Sequence, residues 1–397
     1  MKLVQVHNRY RVRGGEDTAV DATVRLLRSR GVEVREFFAD SWDVPSRFAA
    51  HLALSLRGVY SRAAYGAIRR LMQEERPDIV HVHNLYPLFS PSVLGACRRE
   101  GIPIVMTCHN YRLICPIGTL FSHGEVCERC TGCHEFACVL RNCTGNVAQS
   151  AAYALRNAVA RRFGLFLRNV TLFIVPTEFV RRKLSTRGLA QGAFCVVPHS
   201  MPCPAQPVDC SSGRYVACVG RASPEKGLPI LLGAAARCPD LPVRVAGDHW
   251  AMSAPRPPAP GNVQFLGPLP HPALKDVYAG ARFLVMPSMC FETFGLAAAE
   301  AMAYGLPVIA ARIGGLPEVV DDGVTGLLFE PGNAQELSEK MRFLWDHPSI
   351  CSSMGQAARK KAMREYNEEA VFHKLTAAYS KAMEIHGRRR RNEKPAG

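Results

Sequence analysis

Short, continuous apolar runs recur along this chain, separated by longer stretches of helix-forming composition. In the first half they are Lys2–His7, Asp78–His83, Pro103–Cys108, Thr171–Val175 and Cys195–Val197. In the second half they are Tyr215–Val219, Val243–Ala246, Val263–Leu266, Phe283–Met286, Val308–Ala310 and Gly326–Phe329. Runs rich in Val, Ile and Leu on both faces are what parallel strands covered on two sides require. Their alternation with helices predicts two doubly wound α/β domains. Leu296–Tyr304 reads as a helix stopped by Gly305-Leu-Pro. Pro198–Gly213, proline-rich and without periodicity, reads as the linker, and Ser253–Gly261 as a surface loop. The expected division is residues 1–200, then 213–366. A last helix, about 367–387, has no strand after it, and 388–397 is expected to be a basic disordered tail. No internal repeat is visible.

Composition narrows the class. The 397 residues are 48% hydrophobic and 21% charged, ordinary values for a globular protein of two domains. The chain runs from MKLVQVH straight into a strand, with neither a leader pattern nor an apolar run long enough to span a bilayer, so a cytoplasmic protein is expected. The net charge of +15 is uneven. Residues 1–200 hold 27 Lys and Arg against 15 Asp and Glu, whereas 201–397 hold 22 against 19. A basic first half suits a nucleic acid, an anionic membrane or a phosphorylated substrate. No nucleic-acid module supports the first of these: finger spacing, aromatic RNA-binding strands and basic heptads are all missing.

The densest chemistry lies in CFETFGLAAAEAMAYGLP, Cys290–Pro307. Glu292 falls in the loop after a strand, and Glu300 falls within the following helix. Thr293, Phe294 and Gly295 open that helix, and Leu296 begins it. A helix start offers backbone N–H groups and partial positive charge to a diphosphate. Carboxylates on either side can hold ribose and sugar hydroxyls. Upstream, Gly220-Arg-Ala-Ser-Pro-Glu-Lys-Gly227 follows another strand. Gly220 permits a tight turn, and Arg221 and Lys226 put two cations at the end of the sheet where α/β ligands bind.

Glu292-x7-Glu300 with Ala-Met-Ala-Tyr-Gly-Leu-Pro resembles the retaining GT-B glycosyltransferases of family 4. Gly220-Arg221, followed after four residues by Lys226-Gly227, resembles that family's Gly-Arg-x5-Lys-Gly diphosphate motif. The resemblance implies two Rossmann-like domains facing a cleft, with the C-terminal helix crossing back to the first. It implies that Arg221 and Lys226 hold the diphosphate of a UDP- or GDP-sugar, Glu300 the ribose, and Glu292 the transferred sugar. His109, ending the strand in Met106-Thr-Cys-His-Asn-Tyr-Arg112, matches the family's active-site histidine, with Asn110, Tyr111 and Arg112 on the acceptor side. Gly14 and Gly15 match its N-terminal glycine-rich loop. Gly247-Asp248 stands where relatives have Gly-Asp-Gly, and Asp248 reads as structural. The family's chemistry requires no cofactor. A nonhydrolysing sugar-nucleotide epimerase shares the architecture but lacks the paired glutamates.

Fifteen cysteines in a chain without an export pattern point to a reducing compartment. Six fall in one stretch: Cys115, Cys127, Cys130, Cys133, Cys138 and Cys143. Cys127-Glu-Arg-Cys130 with Cys115 and Cys143 has the spacing of a structural zinc site. Cys133, Cys138 and His134 compete for the same role, and free thiols or disulfides are the alternatives. The stretch also resembles a family 4 subgroup with a cysteine-rich insert. Tyr153–Leu167 reads as a basic amphipathic helix able to rest on an anionic inner leaflet, with Arg156, Arg161 and Arg162 on its face. That favours a lipid-linked or polysaccharide precursor as acceptor over a soluble small molecule, and a peripheral position on the inner face of the membrane.

Overall fold

A computed structural model of the chain describes residues 1–11, 13–41, 58–185, 194–247 and 258–393. Asp248 and most of the expected surface loop lie outside these residues. The chain divides into two compact units. The first comprises Met1–Ser122, Cys127–His199 and Val371–Gly397; the second comprises His123–Val126 and Ser200–Ala370.

The first unit is built on β1 (Lys2–Arg9), α1 (Gly15–Ser29), β2 (Glu33–Asp40), α2 (Arg62–Glu75), β3 (Ile79–Val82), α3 (Ser92–Arg99) and β4 (Ile104–Thr107). Along the chain follow β5 (Phe121–Ser122), β6 (Glu125–Val126, which falls in the second unit), α4 (Ala137–Leu140), α5 (Val147–Arg162), β7 (Leu172–Val175), α6 (Glu178–Ser185) and β8 (Phe194–Val196). Six of these strands form a parallel sheet in the order β2-β1-β3-β4-β7-β8. Its order reverses between β1 and β3, and open α/β sheets bind ligands outside the strand ends at such a point. The apolar runs predicted every strand of this sheet except β2. That strand sits at the edge, and its exposed Glu33, Arg35 and Glu36 break the apolar run.

The second unit contains β9 (Tyr215–Val219), α7 (Leu228–Arg237), β10 (Val243–Ala246), β11 (Val263–Gly267), α8 (Leu274–Ala279), β12 (Ala281–Met286) and α9 (Leu296–Tyr304). It continues through β13 (Val308–Ala311), α10 (Leu316–Val319), β14 (Gly326–Phe329), α11 (Ala334–Asp346) and α12 (Pro348–Glu365). Its parallel sheet runs β11-β10-β9-β12-β13-β14, reversing between β9 and β12. Of Pro198–Gly213, expected to be a linker, the part from Ser200 onward is packed into this unit. Met201 N donates to Tyr366 O at 2.7 Å, Val208 N donates to Tyr304 O at 2.9 Å, and Cys210 is buried.

The final helix, α13 (Glu368–Glu393), returns to the first unit. Val371, Leu375, Ala378, Tyr379 and Ala382 form a helical stripe that packs with Leu3, Leu27, Ile79, Val105 and Leu172. The helix does not stop where a disordered tail was expected. His386 Nε2 donates to Gly101 O at 2.9 Å, and one turn later the Arg390 side chain lies over Gly101, so Arg388–Arg391 are helical. Residues 394–397 lie outside the described residues.

Candidate functional site

In the second unit the loop leaving β9 is pressed against the loop leaving β12. Gly227 has φ 76°, and a Cβ there would stand 1.7 Å from Pro287 O, so only glycine permits the approach. The approach carries Lys226 alongside the 288–295 loop. Its Nζ lies 2.6 Å from Glu292 Oε1, and Ser288 Oγ donates to the same oxygen at 2.6 Å. Glu292 is 8% exposed. Burial alone would raise its carboxyl, but the Lys226 charge and the two hydrogen bonds hold it below the ordinary range. Burial pushes Lys226 down and Glu292 pushes it up, with a net rise, so both groups stay charged. The Glu292 backbone is fixed by Gly315 N, which donates to Glu292 O at 2.7 Å. Neighbouring Gly314 has φ 63°, and a Cβ there would fall 2.5 Å from Glu292 N and O.

Gly220 opens the β9 loop, and Arg221, exposed, pairs with Glu225 at 3.3 Å while its charge reaches both Lys226 and Glu292. Glu300 lies on α9. Tyr278 OH donates to its Oε2 at 2.7 Å, and His271 Nε2 lies 3.0 Å from its Oε1. Gly295, φ 95°, caps α9, whose first N–H groups have no partner within the helix. Leu296 begins the helix half-buried against the core. The Phe294 side chain is buried, edge-on to Tyr366 at 5.3 Å, so only its backbone is placed to meet a ligand. The sheet thus gathers Arg221, Lys226, Glu292, Glu300 and the α9 start at its reversal point. Ser288, Tyr278 and His271 were not singled out from the sequence. Tyr278 and His271 serve Glu300 from other elements, and Ser288 serves Glu292 from four residues upstream in the same loop.

In the first unit, polar side chains fill the reversal between β1 and β3. His7 Nε2 lies 2.9 Å from Asp17 Oδ1, and Asp17 Oδ2 accepts from Gly14 N at 3.1 Å. Gly14 therefore caps α1 with its amide already committed, and Gly15 is exposed. Beside them Glu16 Oε2 accepts from Tyr10 OH at 2.9 Å and from Asn110 Nδ2 at 3.1 Å. Burial raises the Glu16 carboxyl against the pull of His7 and Arg112. Glu16, His83, Asn84, His109, Asn110 and Arg112 line one cavity. His109 stacks between His83, at 5.1 Å, and His199, at 5.2 Å. Burial holds His81, His109 and His199 down to about 3, and His83 well below its ordinary value, so the cluster is neutral near pH 7. Gln5 and His7 on β1, and His81 on β3 with His83 just past its end, are polar residues two apart beside apolar neighbours. That period-two signal is legible in the sequence.

The cysteine-rich segment brings Cys138, outside the expected set of four, against Cys130 and Cys143. Cys130 and Cys138 are buried together with Cys143 against them, and Ser122 Oγ lies 3.5 Å from Cys143 Sγ. Burial, then the nearby Cys115, Cys143 and Cys127, push the Cys130 thiol up to about 12. Among the described residues, no three His, Cys, Asp or Glu side chains stand in metal-holding geometry.

The expected basic face of Tyr153–Leu167 is corrected. α5 ends at Arg162, and Arg156 is buried, its guanidinium 3.9 Å over the Tyr86 ring and donating to Pro116 O at 2.9 Å. Arg161 is bound to Glu135 at 2.6 Å.

Comparison with known proteins places this geometry. The family model described as Glycosyltransferase Family 4 matches residues 13–202, and that described as Glycosyl transferases group 1 matches residues 210–361. The D-inositol 3-phosphate glycosyltransferase of Corynebacterium aurimucosum is 36% identical over 187 residues, 43% of this chain and 44% of that protein. Its counterpart in Mycolicibacterium smegmatis is 33% identical over 193 residues, 46% and 43%. The match thus spans less than half the length of these curated relatives. Among solved structures, sucrose-phosphate synthase from Thermosynechococcus elongatus superposes with TM-score 0.68 at 19% identity, covering 96% of this chain and 98% of that one. The Anabaena protein HepE, solved with UDP-glucose, superposes with TM-score 0.66 at 19% identity, covering 96% and 99%. These likenesses show the GT-B fold.

Proposed function

This chain belongs to the family 4 glycosyltransferases of GT-B fold, and we propose that it moves a sugar from a nucleoside diphosphate sugar to an acceptor saccharide with retention of anomeric configuration. The observation that carries the reading is the Lys226–Glu292–Ser288 cluster at the reversal point of the second sheet, one helix start away from the Tyr278–Glu300–His271 cluster. An ammonium has three donors, and Lys226 spends one on Glu292, leaving two for phosphate oxygens. Arg221 and the α9 N–H groups add further positive potential, which stabilises a nucleoside diphosphate as it leaves. Glu300, preset by two donors, takes the ribose hydroxyls, and Glu292 takes hydroxyls of the sugar. His109 is assigned to a sugar hydroxyl. Departure and attack on one face need no protein nucleophile and no cofactor. The UDP-glucose bound by HepE supports a uridine donor, with GDP the alternative. Release of free nucleoside diphosphate from a panel of sugar nucleotides tests the reading.

The acceptor we assign is a lipid-linked or polysaccharide precursor of cell-envelope or exopolysaccharide biosynthesis, met at the inner face of the membrane. Supporting this, Phe136, Leu140, Val147, Leu155, Phe163 and Leu167 are exposed within one segment, Leu140 by 79%, near the exposed Arg162 and Arg168. No helix among the described residues is long and apolar enough to cross a membrane. The names of the curated relatives favour a second reading, a soluble phosphorylated polyol. Vesicle co-sedimentation separates the two. Binding to anionic but not neutral vesicles, weakened by salt, is expected; no binding to either, or equal binding to both, leaves the soluble acceptor.

A structural zinc on Cys115, Cys127, Cys130 and Cys143 is a further part of this reading. It is supported by their spacing and by their gathering around Cys130, and ligation requires side chains to turn from their present positions. Metal analysis of purified protein is expected to give one zinc per chain. Far less than one, with all thiols titratable, removes it.

A further inference from the structure

We propose that Gln5, through His83, sets the tautomer of His109, so that His109 presents Nδ1 as a hydrogen-bond acceptor. An imidazole is ambiguous, because either ring nitrogen can carry the proton. A primary amide is not: its oxygen only accepts and its nitrogen only donates. Gln5 on β1 touches two histidines, one with each end of its amide: His81 on β3, and His83 one residue past the end of that strand. Its Nε2 lies 3.4 Å from His81 Nδ1, and its Oε1 lies 2.5 Å from His83 Nε2.

The amide polarity propagates. His81 Nδ1 must accept, and it also lies 2.8 Å from Tyr379 OH. His81 Nε2 then carries the proton and donates to Thr107 Oγ1 at 2.7 Å. At the other end, Gln5 Oε1 can only accept, so His83 Nε2 carries the proton. The reversed amide would set two nitrogens 2.5 Å apart, too close for an N–H···N bond. His83 is buried and neutral, so its Nδ1 has a lone pair. That Nδ1 lies 2.9 Å from His109 Nε2. The contact is a hydrogen bond only if His109 Nε2 carries the proton. The remaining nitrogen of His109, Nδ1, is then an acceptor, suited to receive a hydroxyl hydrogen and unable to donate one. Gln5 is thus a positioning residue, acting on His109 through His83. The tautomer assignment stands on these distances and on the burial that keeps His83 neutral; its consequence for turnover rests on the sugar contact assigned to His109 above.

The test is the ring-nitrogen spectrum of histidine-labelled protein at pH 7.5, with His83 and His109 assigned by single substitution. Both are expected as the Nε2–H tautomer in the native protein. Gln5→Leu is expected to mix the tautomers of both. Gln5→Glu, whose carboxylate still accepts from His83, is expected to preserve them. Turnover in Gln5→Leu is expected to fall roughly ten- to a hundredfold, mostly in kcat, by analogy with the scale on which removing the outer hydrogen-bond partner of a metal-bound histidine acts. The Nδ1–H form in native His83 or His109 overturns the relay, without recourse to any variant. Unmixed tautomers in a folded Gln5→Leu protein overturn the role of Gln5. Mixed tautomers with unchanged turnover uphold the relay and sink instead the sugar contact of His109.

Discussion

Lys226→Ala is expected to lower turnover roughly a hundred- to a thousandfold, about 3–4 kcal/mol of transition-state stabilisation, the scale of one preorganised charge-stabilising donor. The ammonium is the cation held deepest at the reversal point of the second sheet, whereas Arg221 is exposed and shared with Glu225. The same substitution leaves Glu292 short of its cation in a buried position, so some loss of stability accompanies the loss of rate. The two effects separate in the double variant Lys226→Ala/Glu292→Gln, which removes the orphaned charge. Its melting temperature should recover while its turnover stays low. The pair itself is insensitive to pH across the neutral range. Glu292 titrates below its ordinary 4.5, so its contribution is present above that value and lost as pH falls through the lower folded one. Lys226 titrates above 10.5, so its contribution is lost only as pH rises through that higher value. Near-normal turnover in a folded Lys226→Ala protein would remove the diphosphate assignment.

The first unit is expected to be acid-labile well above the pH at which carboxylates titrate. His81 and His83 are buried and neutral, with folded values far below the ordinary 6.5. In the unfolded chain they take up protons below about pH 6.5. The unfolded state then binds more protons than the folded one, so stability falls as pH falls, and nothing is lost above that point. Each such histidine contributes about 1.4 kcal/mol per pH unit, so the buried pair gives about 4 kcal/mol between pH 6.5 and 5.0. That is a large share of the roughly 5–15 kcal/mol of a typical domain. His109 and His199, less deeply buried, add to it. Urea midpoints read separately on peptides of each unit check the expectation. The first unit should weaken steeply between pH 7.5 and 5.0, while the second, whose His271 and His347 are exposed, should change far less. Equal midpoints for the first unit at both pH values would contradict the neutral histidine cluster.

The second unit was the more legible in sequence. Tyr215–Val219, Val243–Ala246, Gly326–Phe329 and Leu296–Tyr304 occupy the spans that their apolar runs and Gly or Pro stops suggested. A strand covered on both faces writes its whole length in Val, Ile and Leu. Where a strand is an edge, as β2 is, charged residues break the run, and where it spans two residues, as β5 and β6 do, there is no run to read. Arg221, Lys226, Glu292 and Glu300 were each picked out from local pattern. Their mutual geometry was not, because residues 66 apart meet only through the sheet topology. Phe294 shows the opposite failure: its position in the motif suggested a ligand contact, but its hydrophobicity sends the ring into the core. Arg156 fails for a related reason. Helical periodicity places it among surface cations, and nothing in the sequence reports the Tyr86 ring that takes it inside. The histidine cluster was half visible, as polar residues two apart in β1 and at the end of β3, but the amide that orders it is legible only from distances.

The most direct test of the account is acceptor-free hydrolysis of a panel of UDP- and GDP-sugars, following free nucleoside diphosphate and the anomer of the sugar first released. Slow release from one nucleotide series is expected, with the donor's anomeric configuration kept and the release lost in Lys226→Ala. Folded protein that releases no nucleoside diphosphate from any donor, and binds neither UDP nor GDP, would contradict it.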